Sequence, residues 1–153
     1  NTIKMQTNLL IDDTIMIKEA NINKDGKHFD KVTRISGKTE VYEFNIVLDI
    51  NTDIYPIVKD EFYKICIATP VGMDEEASDY YTIVESKNSL FDEFEYVMIG
   101  KVYRYEIHEN DTISQYISFG GLVLKITGDV KYLKSLEVDS KVFFLMKAAV
   151  KHY

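Results

Sequence analysis

Between Val41 and Ile50 the chain alternates. Tyr42, Phe44, Ile46, Leu48 and Ile50 would share one face, with Glu43, Asn45 and Asp49 among the residues on the other. Successive side chains point to opposite sides only in an extended chain, so this run predicts a β-strand with one face in a core and the other wetter. The same reading finds strands at Leu9–Lys18, Phe29–Ser36, Glu61–Thr69, Phe94–Ile107, Ile113–Phe119, Leu122–Thr127 and Lys141–Ala148. β-Branched residues, joined by 11 Tyr and 8 Phe, far outnumber the strong helix formers Ala and Leu, which suits pleated, half-buried surfaces. Turn chemistry lies between several of these runs, at Asp25-Gly26, Gly37-Lys38, Asn51 to Pro56, Asn110-Asp111 and Gly128-Asp129, and Val130 to Leu136 reads as a short helix. No strand alternates with a long helical pattern. The expected fold is therefore all-β, an antiparallel barrel or sandwich of about eight strands rather than a parallel βαβ sheet.

A length of 153 residues predicts one domain spanning 1–153. The longest apolar run, Val142 to Met146, is far too short for a membrane helix, so no membrane partner is expected. The lone Cys66 cannot form an internal disulfide, and the first twenty residues, interrupted by Lys4, Asp12, Asp13, Lys18 and Glu19, do not form a secretory signal; an intracellular setting is expected. Net charge is -7, and residues 40 to 93 hold thirteen acidic side chains against three basic ones, which opposes tight binding to phosphate backbones. Much of that acidity falls in 70–93, where Asp74, Glu75, Glu76, Asp79, Glu85, Asp92 and Glu93 face only Lys87; this segment reads as a long, mobile surface loop. Asn1 to Asn8 reads as an N-terminal extension.

Several strings imitate chemistry without completing it. Ser36-Gly37-Lys38-Thr39 ends like a phosphate-binding loop, but Val32 stands where its first glycine belongs, and a hairpin turn is the expected structure. Asn21, Asn23, Asp25 and Gly26 begin like a calcium loop, yet Val32 occupies the place of its bidentate Glu. His28, His108 and His152 have no second His or Cys at ligand spacing, and no cofactor or metal is expected. Cys66, inside Ile65-Cys66-Ile67, reads as a buried, inert thiol. Asp12 and Asp13 point to opposite faces of an extended chain and cannot share a proton. No autonomous catalytic site is expected.

Two segments are more specific. In Phe94-Glu95-Tyr96-Val97-Met98-Ile99-Gly100-Lys101-Val102-Tyr103-Arg104, Gly100 falls mid-strand, where glycine marks a bulge, a barrel corner or a close backbone approach. In Tyr116 to Asp129 the pair Gly120-Gly121 separates two strongly β segments, as a tight connection would. At these residues the sequence resembles the small common subunit shared by the three eukaryotic nuclear RNA polymerases, usually called their eighth subunit. The likeness runs from about Leu9 to Met146 and takes in Phe29-Asp30-Lys31-Val32-Thr33-Arg34, the stretch Asp49-Ile50-Asn51 to Ile54-Tyr55-Pro56, and Leu136-Glu137-Val138-Asp139-Ser140-Lys141-Val142. Ile99, where the family has an aromatic residue, and Val123, where it has Leu, depart from the pattern.

The resemblance implies an antiparallel, eight-stranded OB-fold-like β-barrel that can be viewed as two joined half-units. It implies a non-catalytic structural and assembly subunit of DNA-directed RNA polymerases I, II and III, in the nucleus and nucleolus. Such a subunit docks on the largest subunits, which hold the magnesium site, alongside other polymerase subunits, with nucleic acid at most a weak or indirect partner. On this reading the partner-contact candidates are Tyr96, Gly100, Tyr103, Arg104, Phe119, Gly120 and Gly121. The competing reading is a stand-alone OB-fold module for single-stranded nucleic acid, which would use Lys101, Tyr103, Tyr105 and Lys125. In an ideal strand Lys101, Tyr103 and Tyr105 share a face and Arg104 lies on the other.

Overall fold

The computed structural model describes residues 6–21, 32–71 and 89–149. Eight strands follow in chain order: β1 (Gln6–Asn21), β2 (Val32–Thr39), β3 (Asn45–Asn51), β4 (Phe62–Val71), β5 (Tyr96–Ile107), β6 (Thr112–Phe119), β7 (Leu122–Asp129) and β8 (Lys141–Ala148). Two short helices, α1 (Ser89–Asp92) and α2 (Val130–Leu133), accompany them. The strands close into a barrel in the order β1-β2-β3-β7-β6-β5-β8-β4, every pairing antiparallel, so the expected all-β barrel is what forms. The order divides at two seams. Strands β1 to β4 are contiguous on one side and β5 to β8 on the other, joined where β3 meets β7 and where β4 meets β8, which are the two half-units the resemblance implied.

The inward residues follow the alternation. Phe44, Ile46, Leu48 and Ile50 are buried with Ile11, Ile15, Ile17, Ile65, Ile67, Ile117, Leu124, Ile126 and Phe144 in one core. The ladder of β3 begins only at Asn45, because Glu43 adopts a positive φ of 56° and the chain turns there. Asp13 holds that turn. Its carboxylate accepts the backbone N–H groups of Thr14 (2.7 Å), Val41 (3.0 Å) and Tyr42 (2.9 Å), so the acid is a turn clamp. Asp49 departs from the expected wet face and is only 7% exposed. β3 and β7 part after Leu48 pairs with Leu124, and the Asp49 carboxylate fills the gap, accepting from Arg34 Nε at 2.8 Å and from the Val123 N–H at 3.1 Å.

Other expectations need correction. Gly37-Lys38 is not a turn but lies within β2, opposite Ile17 and Met16 of β1, where a Cβ on Gly37 would overlap the Met16 carbonyl oxygen. The hairpin turn falls after Thr39 instead. Gly128-Asp129 ends β7, and Asp129 caps α2 by accepting the Lys131 N–H at 2.9 Å; that helix is shorter than the expected 130–136. Gln6, Thr7 and Asn8, read as an extension, pair with Val71, Pro70 and Thr69 of β4. The acidic loop is likewise trimmed at both ends, with Pro70 and Val71 inside β4 and Ser89–Asp92 helical. Its remainder, the Asp25-Gly26 turn, the calcium-like residues after Asn21, Phe29 to Lys31, His28 and His152 lie outside the described residues. Leu90, Phe91 and Phe94, around α1, cover a second apolar cluster of Cys66, Ala68, Phe143 and Leu145 on the outer face of β4 and β8. The Phe91 and Phe143 rings meet edge to face at 5.1 Å.

Candidate docking surface

β5 carries a bulge at Tyr103. Val102 pairs with Ile117, but the next residue to pair, with Tyr116, is Arg104. One added residue reverses the alternation. Tyr105 and Ile107, opposite Gln115 and Ile113, therefore turn to the mouth of the barrel, while Arg104 and Glu106 lie outside. The expectation that Lys101, Tyr103 and Tyr105 share a face fails for this reason: Tyr105 leaves the set and Arg104 joins it.

Outside, the centre is Tyr116, a residue in neither set of contact candidates. The Arg104 guanidinium lies 4.9 Å and Lys125 Nζ 5.6 Å from its ring centroid, and the Tyr103 ring is 6.1 Å away. A cation over an aromatic face contributes about 0.5–1 kcal/mol at exposed sites. Glu106 ties the group together, accepting from Arg104 Nη2 at 2.7 Å and from the Tyr116 hydroxyl at 3.3 Å. Arg104 thus has its charge answered within the chain. The only signal for Tyr116 in the sequence was its place in a strand opposite the Arg104 strand, and the bulge had to be known to set the register.

Other candidates prove to be architecture. Tyr96 is buried at the start of β5, stacked on Tyr55 at 5.3 Å with the Asn51 N–H donating to its hydroxyl at 3.3 Å, and burial pushes its pKa up. Phe119 is buried beside Phe144, with ring centroids 6.2 Å apart. At Gly100 a Cβ would overlap the Ser118 carbonyl oxygen and sit 2.7 Å from Phe119 Cδ1, a close approach of strands. These three have their side chains or their space committed inside the barrel, so they are not exposed anchors. Gly120 and Gly121, at φ 62° and 103°, make the exposed two-residue turn between paired Phe119 and Leu122. Tyr103, Arg104 and this turn remain on the surface, as does Lys101.

Cys66 is buried under α1. Its thiol donates to Asp12 Oδ1 at 3.6 Å, and desolvation together with the Asp12 charge pushes its pKa up to about 12, so a reactive thiolate is suppressed. Among the described residues no group of three or more His, Cys, Asp and Glu could hold a metal ion. No helix among them is long and apolar enough to cross a membrane. The mouth where Tyr105 and Ile107 emerge opens into a cavity of about 530 Å³, bounded on the other side by α2 and the residues that follow it.

What fold and surface define is a closed antiparallel barrel of two four-stranded halves, filled by an apolar core and presenting aromatic, cationic and apolar features outside. The chain belongs to the RNA polymerase Rpb8 family, whose pattern it matches over residues 12–148. It is 36% identical over 144 residues to a Dictyostelium discoideum protein named "DNA-directed RNA polymerases I, II, and III subunit rpabc3", covering 94% of this chain and 99% of that one. An Arabidopsis thaliana protein named "DNA-directed RNA polymerases II, IV and V subunit 8B" is 31% identical, again covering 94% of this chain and 99% of the relative. A Schizosaccharomyces pombe subunit, named RPABC3 of polymerases I, II and III, is 30% identical over the same shares.

Proposed function

We propose that this chain is a structural subunit of DNA-directed RNA polymerase, a preformed barrel that supports assembly while other subunits carry nucleotidyl transfer. The observation that carries the reading is family membership across residues 12–148, with polymerase subunits matched almost end to end. The finer reading is a nuclear and nucleolar subunit shared by polymerases I, II and III that docks on their largest subunits and meets other polymerase subunits. It brings no cofactor of its own. Tyr103, Arg104 and the Gly120-Gly121 turn are the exposed members of the original contact set and offer an aromatic, a cation and accessible backbone to a partner.

The single-stranded nucleic-acid module is the weaker reading. Tyr105 does not share a face with Lys101, Arg104 is paired with Glu106, and the chain carries a net charge of -7. A phosphate-tracking groove needs uncompensated cations in a row.

The test is affinity purification of the tagged full-length chain from its own cells at moderate salt, with mass spectrometry and a templated RNA-synthesis assay. Recovery of the largest subunits of all three nuclear polymerases, with activity that the isolated chain lacks, is the expected result. Elution alone, or with RNA removable by salt or nuclease, would sink the reading.

A further inference from the structure

Strand β5 outruns its neighbour. Its ladder with β8 ends where Lys101 meets Lys141, and one residue further Val102 is still met on that side, its N–H donating to the Ser140 carbonyl oxygen at 3.1 Å and its carbonyl accepting the Asp139 N–H at 2.8 Å. From Arg104 to Ile107 the strand is paired with β6 and, among the described residues, has no backbone partner on its other side. The groups along this open edge follow from the ladder. The His108 N–H donates to the Thr112 carbonyl oxygen at 2.8 Å, so Glu106 and Arg104 also bond toward β6, and the N–H and C=O of Tyr105 and Ile107 point away from it. An edge of this kind is a template for another strand, and natural sheets blunt it with Pro or Lys. Here residues 103–107 read Tyr-Arg-Tyr-Glu-Ile, with neither, and Tyr103, Tyr105 and Ile107 are 46%, 55% and 74% exposed.

We propose that this edge pairs with the same edge of a second copy of this chain, antiparallel, about a two-fold axis at Tyr105. Charge chooses both the occupant and the register. Arg104 and Glu106 flank Tyr105 and share the outer face. In this register Tyr105 faces Tyr105 of the second copy, with two reciprocal N–H···O bonds, and each Arg104 stands opposite the other copy's Glu106 in the closely spaced kind of pair, where unlike charges attract. Moving the axis to Arg104 or to Glu106 sets like charges against each other, and a slip of one residue sets outer side chains against inner ones. A two-fold contact needs a surface complementary to itself, and the run Arg-Tyr-Glu is one. The Arg104–Glu106 bond within each chain, at 2.7 Å, joins the two cross-pairs into a four-charge network. The contact is a few residues long, so the dimer is weak and depends on concentration. Arg104 is also offered to a polymerase partner above, so the pairing is a property of the unassembled chain and does not rest on that reading.

The experiment is sedimentation equilibrium on the purified full chain from about 10 µM to about 1 mM, the range in which small interfaces associate. Wild type is compared with Arg104→Glu, with Glu106→Arg, and with an equal mixture of the two, melting serving as the check on folding. Wild type should gain apparent mass with concentration. Each variant alone sets like charges opposite one another and should lose at least about tenfold in association constant, whereas the mixture restores both unlike pairs and should recover to within about threefold of wild type. Tyr105→Cys is the second arm and leaves both charges in place. Facing residues of a hydrogen-bonded pair have Cα atoms about 5.5 Å apart, within disulfide reach, so under mild oxidation it should link to its own copy far faster than Val41→Cys, exposed elsewhere on the barrel. Wild type that stays monomeric throughout, with the two cysteine variants linking at equal rates, overturns the proposal. So does a dimer that both charge reversals leave unchanged, since it would use another surface. Neither result touches the polymerase reading, which is tested by co-purification.

Discussion

Gly100→Ala tests how tightly the second half of the barrel is closed. An added Cβ would lie 2.7 Å from Phe119 Cδ1 and overlap the Ser118 carbonyl oxygen. Carbon atoms rest at about 3.5–4.0 Å, so β5 and β6 must part by about 1 Å. The Phe119 ring is held against Phe144, and Ser118 is paired with Lys101 and Val123 on its two sides, so neither yields by rotating a free side chain. Overpacking of this kind costs about 1–3 kcal/mol, and overlap with backbone puts it at the upper end. Removing a glycine from the unfolded chain returns about 0.4–1 kcal/mol. The net expectation is a loss of about 2 kcal/mol, or roughly 4–8 °C in melting temperature for a domain of this size. Circular dichroism on the purified chain, by heat and by urea, reads it as a lower midpoint with an unchanged urea slope. Gly121→Ala is the companion, because no atom lies within 4 Å of its added Cβ and any loss there comes from φ 103° alone. A Gly100→Ala chain melting within about 1 °C of its parent, a shift well below that expectation, would refute the steric argument.

Asp13→Ala should cost about 2–4 kcal/mol, since three backbone N–H groups lose a charged acceptor, and Asp13→Asn should cost less; equal urea midpoints for wild type and Ala variant would show that the clamp is dispensable. Cys66 should react with a thiol reagent far more slowly in the native chain than in urea, and native labelling at the unfolded rate would contradict its burial. Because its folded pKa of about 12 lies above the ordinary 9.0, the native state keeps a proton that the unfolded chain has lost between those values. Stability is therefore full below about pH 9 and falls as pH climbs toward 12, with Tyr55 and Tyr96, also raised by burial, acting in the same direction; Cys66→Ala should flatten part of that decline. Glu95 accepts the Tyr55 hydroxyl and the Ala148 N–H, each at 2.7 Å, and those bonds hold its pKa below the ordinary 4.5. Its contribution is present above pH 4.5 and lost as pH falls below, so Glu95→Gln should blunt the acid limb of a pH–stability curve, and an unaltered limb would count against the bridge.

The strands were legible because alternation reports one local fact, which face a side chain takes, and burial on a closed sheet obeys it. Phe44, Ile46, Leu48 and Ile50 are all buried as the pattern requires. Gly100 was readable as a close approach for the same reason, since a glycine amid β-branched neighbours needs a spatial cause. Gly37 carried that signal too, yet the adjacent lysine made it look like a turn, and only the pairing with β1 distinguishes the cases. Asp49 could not be placed from its own type, because its burial depends on Arg34 and on the widening between β3 and β7. The surface was least legible. A single inserted residue at Tyr103 exchanged the faces of Arg104 and Tyr105, and the mouth cavity joins Tyr105 to Val138 across elements that no local pattern connects.

The position of β8 between β4 and β5 has a consequence for how this chain comes into being. Both neighbours are made earlier, yet each presents one open edge until the last strand arrives to bond with Tyr63–Ala68 on one side and Tyr96–Lys101 on the other. At synthesis rates of about 5–20 residues per second, the roughly 80 residues from the end of β4 to the end of β8 take roughly 4–15 s. During that interval β4, paired only with β1, leaves its other edge open along Ile65, Cys66, Ile67 and Ala68, the kind of edge that recruits other chains. Completion is thus a single late event, and loss of even the final strand leaves two raw edges rather than one.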